Sequence, residues 1–182
     1  MRRFQPHLFF LTIIALVCLM AGPSALVMAQ EATPGTGEVT IVGPDESYGG
    51  ANLGEWTARH WQWQMSFPPE LNPGTDPTGA MCGFGQSGPV FFLPRLLADP
   101  NFTCVIPTNT AVFVPIVNGA CSTVEAPPFF GRDEAELRAC AAADVESVFD
   151  VSATVDGIAV EPMEDYRTST PLFTFNFTDA GR

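Results

Sequence analysis

The sequence predicts a mainly β (α+β) domain, a β-sandwich or jelly-roll-like fold with two accessory helices. Three observations predict it. Short apolar, β-favouring runs at residues 90–93, 102–106 and 111–117 are punctuated by Pro and Asn. Phe149, Val151, Ala153 and Val155 alternate with polar residues up to Asp156-Gly157, a two-residue turn that suits the twist of a hairpin, and Ile158 and Val160 return from it. Phe173, Phe175 and Phe177 alternate with Thr174, Asn176 and Thr178, the pattern of a half-buried strand with a phenyl face.

In chain order, residues 1–29 read as a secretory signal peptide. Arg2 and Arg3 open it, an apolar run follows over residues 8–21, and Val27-Met28-Ala29 supplies a small-residue cleavage site near Ala29. Gly22-Pro23-Ser24 breaks the run short of the roughly 20 residues a membrane span needs. The expected location is secreted, periplasmic or cell-surface, with no membrane span after cleavage. Residues 30–51 read as a flexible N-terminal segment with a short strand at 38–42. Residues 52–182 read as a single disulfide-stapled, β-rich domain. The phenyl face of its last strand needs neighbours, which admits a domain that continues beyond Arg182.

The chain carries 20 acidic residues against eight cationic ones. All eight are Arg, and two lie in the signal segment, so the processed chain has 6 − 20 = −14 charges. Nucleic acid and anionic membrane surfaces are excluded as partners, because both need a basic face.

Cys82, Cys104, Cys121 and Cys140 remain after processing. An even number in an exported chain reads as two disulfides. Their gaps of 22, 17 and 19 residues lack the short ligand pairs of a structural zinc site, so no metal is assigned to them. Three pairings are open. The favoured one joins neighbouring segments, Cys82 with Cys104 and Cys121 with Cys140.

Asn52 followed by Glu55 three residues later is a capping-box signature, and Pro68-Pro69 ends the helix it opens. Leu53, Trp56, His60, Trp63 and Phe67, spaced 3, 4, 3, 4, define its apolar face, with Trp61 off that stripe. Residues 70–88 form a long loop for which Cys82 is a pin. Pro115 places a bulge or an edge in the run 111–117. A second helix is predicted over residues 133–148, with Leu137, Cys140, Ala141 and Val148 on its apolar side.

Few residues point to chemistry. His60 is the single histidine after the signal segment and sits between two tryptophans, where a packed imidazole competes with a partly buried base. Trp61, off the stripe and beside Arg59, Gln62 and Gln64, suggests ligand binding: an exposed indole stacking on a sugar, with the polar neighbours orienting hydroxyls. No catalytic residue is assigned. Glu161, Glu164 and Asp165 cluster in a polar loop and offer a carboxylate-dependent, glycosidase-like hydrolase as the alternative. No cofactor is predicted. The oxygen-rich loops 72–76 and 161–165 would suit Ca2+, although a solvated loop is the default for both.

The series Trp61-x-Trp63, Asp76-x-Thr78-Gly79, Cys82, Gln86-x-Gly88-Pro89-Val90-x-Phe92-Leu93, Cys104-x-x-Pro107 and Phe113-x-Pro115-x-x-Asn118 resembles a group of uncharacterised exported bacterial proteins. The resemblance covers about residues 56–177 and implies no activity. A non-enzymatic binding or structural module, meeting a glycan or another exported protein, is therefore the functional expectation.

Overall fold

The computed structural model describes residues 39–94, 102–146, 148 and 150–175. The signal segment and Phe177 of the predicted phenyl strand lie outside these residues.

The organising element is α1, Leu53–Met65. Its start is fixed reciprocally. The Asn52 side chain accepts from the Glu55 amide at 3.0 Å, and the Glu55 carboxylate accepts from the Asn52 amide at 2.9 Å. Two orphan donors of the first turn are thereby satisfied. The predicted stop also holds, since Pro68 and Pro69 follow within one turn. Ahead of α1, residues 39–42 form no strand. The chain reverses in a tight turn closed by reciprocal bonds between Tyr48 and Ala51, 3.0 and 3.1 Å. Gly49 and Gly50 occupy its left-handed positions, φ +56° and +80°.

Two three-residue strands pair beside α1. β1 is Val90–Phe92 and β2 is Ala111–Phe113. They run parallel, with Phe91 opposite Val112, and Leu93 N–H donates to Phe113 C=O at 3.0 Å. All three β1 side chains are buried. Trp56, Trp63, Val90 and Phe92 form the core with Ala51, and Phe67, Ala111 and Phe113 pack against it. Beyond α1, the loop 70–88 is folded on itself. Asn72 donates to the Gln64 carbonyl at 3.0 Å, and Cys82 is bonded to Cys104 across a Cα separation of 5.9 Å.

The second half is more open. The second disulfide, Cys121–Cys140, ties residue 121 to α2, Glu134–Glu146. No residue of α2 is buried. The hairpin follows as β3, Thr154–Val155, and β4, Ile158–Ala159, paired antiparallel with Val155 opposite Ile158. Asp156 and Gly157 take φ +51° and +83°, the turn their types predict.

The fold class is thus corrected. The described residues form two 13-residue helices and two separate two-stranded sheets, not a β-sandwich or jelly roll. The apolar periodicity was real, but ladders need partner edges as well as patterned faces. Residues 102–106 alternate in exposure and join no ladder. The phenyl segment lies against α1 instead of a sheet, with Gln62 Nε2 donating to the Thr174 carbonyl at 3.0 Å. Gly54 makes room for this approach: a Cβ there would stand 2.6 Å from the Ser169 carbonyl oxygen.

Candidate functional site

The candidate site is an open trough of about 2360 Å³ lined by β2, the chain that follows it and parts of residues 137–175. Its making begins at α1. Each of the three indoles on this helix donates to a different segment. Trp56 reaches the Tyr48 carbonyl at 2.9 Å, Trp61 the Asn118 carboxamide oxygen at 2.7 Å, and Trp63 the Phe84 carbonyl at 3.1 Å. The helix is therefore covered on more than the single stripe its spacing predicts. Trp61 faces the trough side and carries the chain after β2 with it through Asn118.

From β2 onward the chain runs Ala111-Val112-Phe113-Val114-Pro115-Ile116-Val117. Ala111, Phe113 and Pro115 turn partly inward, whereas Val112, Val114, Ile116 and, past the alternation, Val117 are exposed. Val112, Val114 and Ile116, with Val124, Val155 and Leu172, line the trough. Val114 keeps 51% of its surface and Leu172 57%, large values for aliphatic side chains. Asn118 is only 9% exposed. Its oxygen is committed to Trp61, and its Nδ2 donor has no hydrogen-bond partner among the described residues.

Among the described residues the charges around the trough are mostly negative. Glu46, Glu146, Asp150, Asp156 and Glu164 line it against Arg138 and Arg167. Both cations are engaged locally. Arg138 pairs with Glu134 at 2.7 Å and donates to the Thr170 carbonyl at 3.2 Å, while Arg167 donates to the Val145 carbonyl at 3.1 Å.

The residues singled out from the sequence are placed as follows. Trp61 is 6% exposed, so its ring presents no open face for a sugar. The cause is the Asn118 bond and the covering chain, which the stripe pattern does not reveal. Arg59 is exposed and stacks over the Trp56 ring, 4.4 Å from its centroid. Gln62 is spent on Thr174, and Gln64 is buried. The four residues do not converge on one surface. His60 has 0% exposure. Its ring lies 5.3 to 5.8 Å from those of Phe113, Phe92 and Trp63, and Nε2 bonds the Leu93 carbonyl at 3.0 Å, so Nε2 carries the proton. That geometry is packing with one anchoring bond, away from solvent.

The carboxylates are equally committed or dispersed. Asp76 accepts from Thr78 Oγ1 at 2.6 Å, Thr78 N at 2.9 Å and Met81 N at 2.8 Å. The Thr78 hydroxyl, then the Met81 amide, holds its pKa below the ordinary aspartate value. Arg132, through a bidentate side-chain bond, does the same to Glu136. Both shifts run opposite to what a general acid needs. Glu161, Glu164 and Asp165 are exposed around the turn Met163–Tyr166. The oxygens of the 72–76 loop bond its own amides, since Asn72 Oδ1 takes Gly74 N at 2.9 Å. No group of three or more His, Cys, Asp or Glu is placed to hold a metal among the described residues. Among them, too, no helix is long and apolar enough to cross a membrane.

Comparison with family models, with curated proteins and with solved structures gives no match. The functional reading therefore rests on geometry alone. Asn118 and the open flank of β2 are the features that sequence reasoning missed. The one signal was a polar residue directly after an apolar run, which is too common to single out.

Proposed function

We propose that the chain is an exported, disulfide-stapled binding module that takes another molecule into the apolar trough and catalyses no reaction there. The carrying observation is the trough lining. Val112, Val114, Ile116 and Leu172 lie in one concavity and stay exposed. Clustered exposed apolar surface of this kind marks interaction sites. Two further facts support the reading. The histidine that could serve as a base is sealed in an aromatic cluster. Both disulfides are formed, as expected of a protein that works in an oxidising compartment.

The test is saturable binding of an apolar dye, anilinonaphthalene sulfonate, to the oxidised protein. Circular dichroism in the aromatic region and a cooperative melt confirm that the native state is the species binding. A protein carrying Val114→Asp with Leu172→Asp should bind the dye at least tenfold more weakly with both controls unchanged. Dye binding that tracks only unfolding, or that ignores the double substitution, refutes the trough as a binding surface.

A further inference from the structure

We propose that the trough is occupied by an extended peptide segment that adds as a third strand to the free edge of β2, with apolar side chains at alternate positions and Lys or Arg at its ends. The proposal rests on the reading of the trough as a binding surface and names what enters it.

The two-stranded sheet is asymmetric at its edges. In a parallel pair the peptide groups of alternate residues point to opposite sides. Leu93 N–H donates to Phe113 C=O, so Ala111 and Phe113 address β1 and Val112 and Val114 point away from it. By the same parity Phe92 points outward from β1. That outer edge is sealed: the Gln86 carboxamide accepts from Phe92 N–H at 2.9 Å and donates to Phe92 C=O at 2.8 Å, acting as a one-residue strand. Among the described residues the β2 edge has no such cover. The Val114 peptide groups bond no other described residue, and Val112 and Val114 both line the trough.

Pro115 fits this arrangement. It shares the parity of Ala111 and Phe113, so its missing N–H interrupts pairing toward β1 and leaves the donors of Val112 and Val114 intact. Beyond the bend at residues 116–117, the buried Asn118 Nδ2 lacks an acceptor among the described residues. A backbone carbonyl of an added strand is the group that would supply one. An uncovered edge of this kind is the template for strand addition, where main-chain bonds give affinity and alternate side chains give selectivity. Val112, Val114 and Ile116 provide the apolar row such side chains would meet.

Charge selects the occupant. Among the described residues five carboxylates line the trough, and the two guanidinium groups there are already engaged. A basic-ended segment is attracted, whereas a second copy of this chain, of net charge −12, is repelled.

The probes are three synthetic peptides: alternating Thr and Val between Lys pairs, the same core between Glu pairs, and the Lys peptide with Pro replacing its central Val. Binding to the oxidised full chain is followed by calorimetry and by hydrogen exchange of the Val112 and Val114 amides. The Lys peptide should bind at least tenfold more tightly than either of the others and slow exchange at both amides. Asn118→Asp keeps the acceptor for Trp61 but removes the donor, and should weaken the Lys peptide tenfold. Val114→Pro should abolish its binding while the melt stays cooperative. Equal binding of the Lys and Glu peptides, tolerance of the Pro peptide, or no peptide binding overturns the proposal. So does concentration-dependent self-association that protects the same amides, which would make a second copy the occupant. If the dye binds the trough and the peptides do not, the binding-surface reading stands and the strand fails. If neither binds, both fail.

Discussion

Replacing Gln86 should unseat β1. Its side chain makes three bonds, to Phe92 N–H, Phe92 C=O and the Cys82 carbonyl, at 2.9, 2.8 and 2.9 Å. Phe92 and Cys82 are both buried, so Gln86→Leu strands three backbone groups where water has poor access. Gln86 itself is partly exposed, so each stranded group is charged at the low end of the usual penalty, about 1 kcal/mol, or about 3 kcal/mol together. Extra apolar burial by Leu offsets about 1 kcal/mol, leaving a net loss of about 2 kcal/mol. In urea that is a midpoint shift of about 1 M at unchanged slope. Gln86→Glu sharpens the test. Its carboxylate still accepts from Phe92 N–H but faces two carbonyl oxygens it cannot serve. Folding then favours the protonated acid, which donates to one of them, so the folded-state pKa rises above the unfolded one. The variant must gain stability relative to the native protein as pH falls through that raised value, and its deficit must be largest above it. Equilibrium urea melts at neutral and mildly acid pH measure both effects. A Leu variant within about 0.5 kcal/mol of the parent, the usual range for uninvolved surface positions, refutes the reasoning. So does a Glu variant whose deficit does not depend on pH.

Other outcomes follow from the same geometry. His60→Ala empties the centre of the aromatic cluster and should cost about 3 kcal/mol in a denaturant melt, as large-to-small core changes do. Gly54→Ala should displace the chain at Ser169 from α1 and speed hydrogen exchange at residues 168–170, leaving exchange in α1 itself nearly unchanged. The Asp76 pKa is depressed on folding, so its contribution is complete above the ordinary aspartate value of about 4 and fades as pH falls toward the lower folded value. Melting temperatures of Asp76→Ala and the parent should therefore converge as pH is lowered through the depressed folded-state value. Replacing Cys121 and Cys140 together by Ser should cost about 3 kcal/mol by the chain-entropy account, with exchange rising first in α2.

What was legible in the sequence was local. The Asn52–Glu55 box and the 3, 4, 3, 4 spacing located α1, because capping and periodicity are properties of a few neighbouring residues. The Asp156-Gly157 turn was legible for the same reason, and the favoured cysteine pairing joined segments close in the chain. What failed was assembly. Runs such as 102–106 carry a strand's alternation, but whether a strand finds an edge depends on residues far away. The parallel pairing of β1 with β2 joins segments some twenty residues apart and left no local mark. Trp61 looked exposed because a single stripe was assumed, whereas Asn118, 57 positions later, covers it. α2 had a weak apolar face in sequence and buries nothing in the structure.

That last helix bears on when the chain takes shape. A 13-residue helix with no buried side chain is marginal on its own. The covalent link holding it to the rest is Cys121–Cys140, assisted by exposed polar bonds such as Arg138 to the Thr170 carbonyl. While the thiols are reduced, residues 121–146 have little reason to order. Oxidation closes the bond and orders the helix. One redox step thus acts as a clock for the trough wall, which is finished only once that bond has formed.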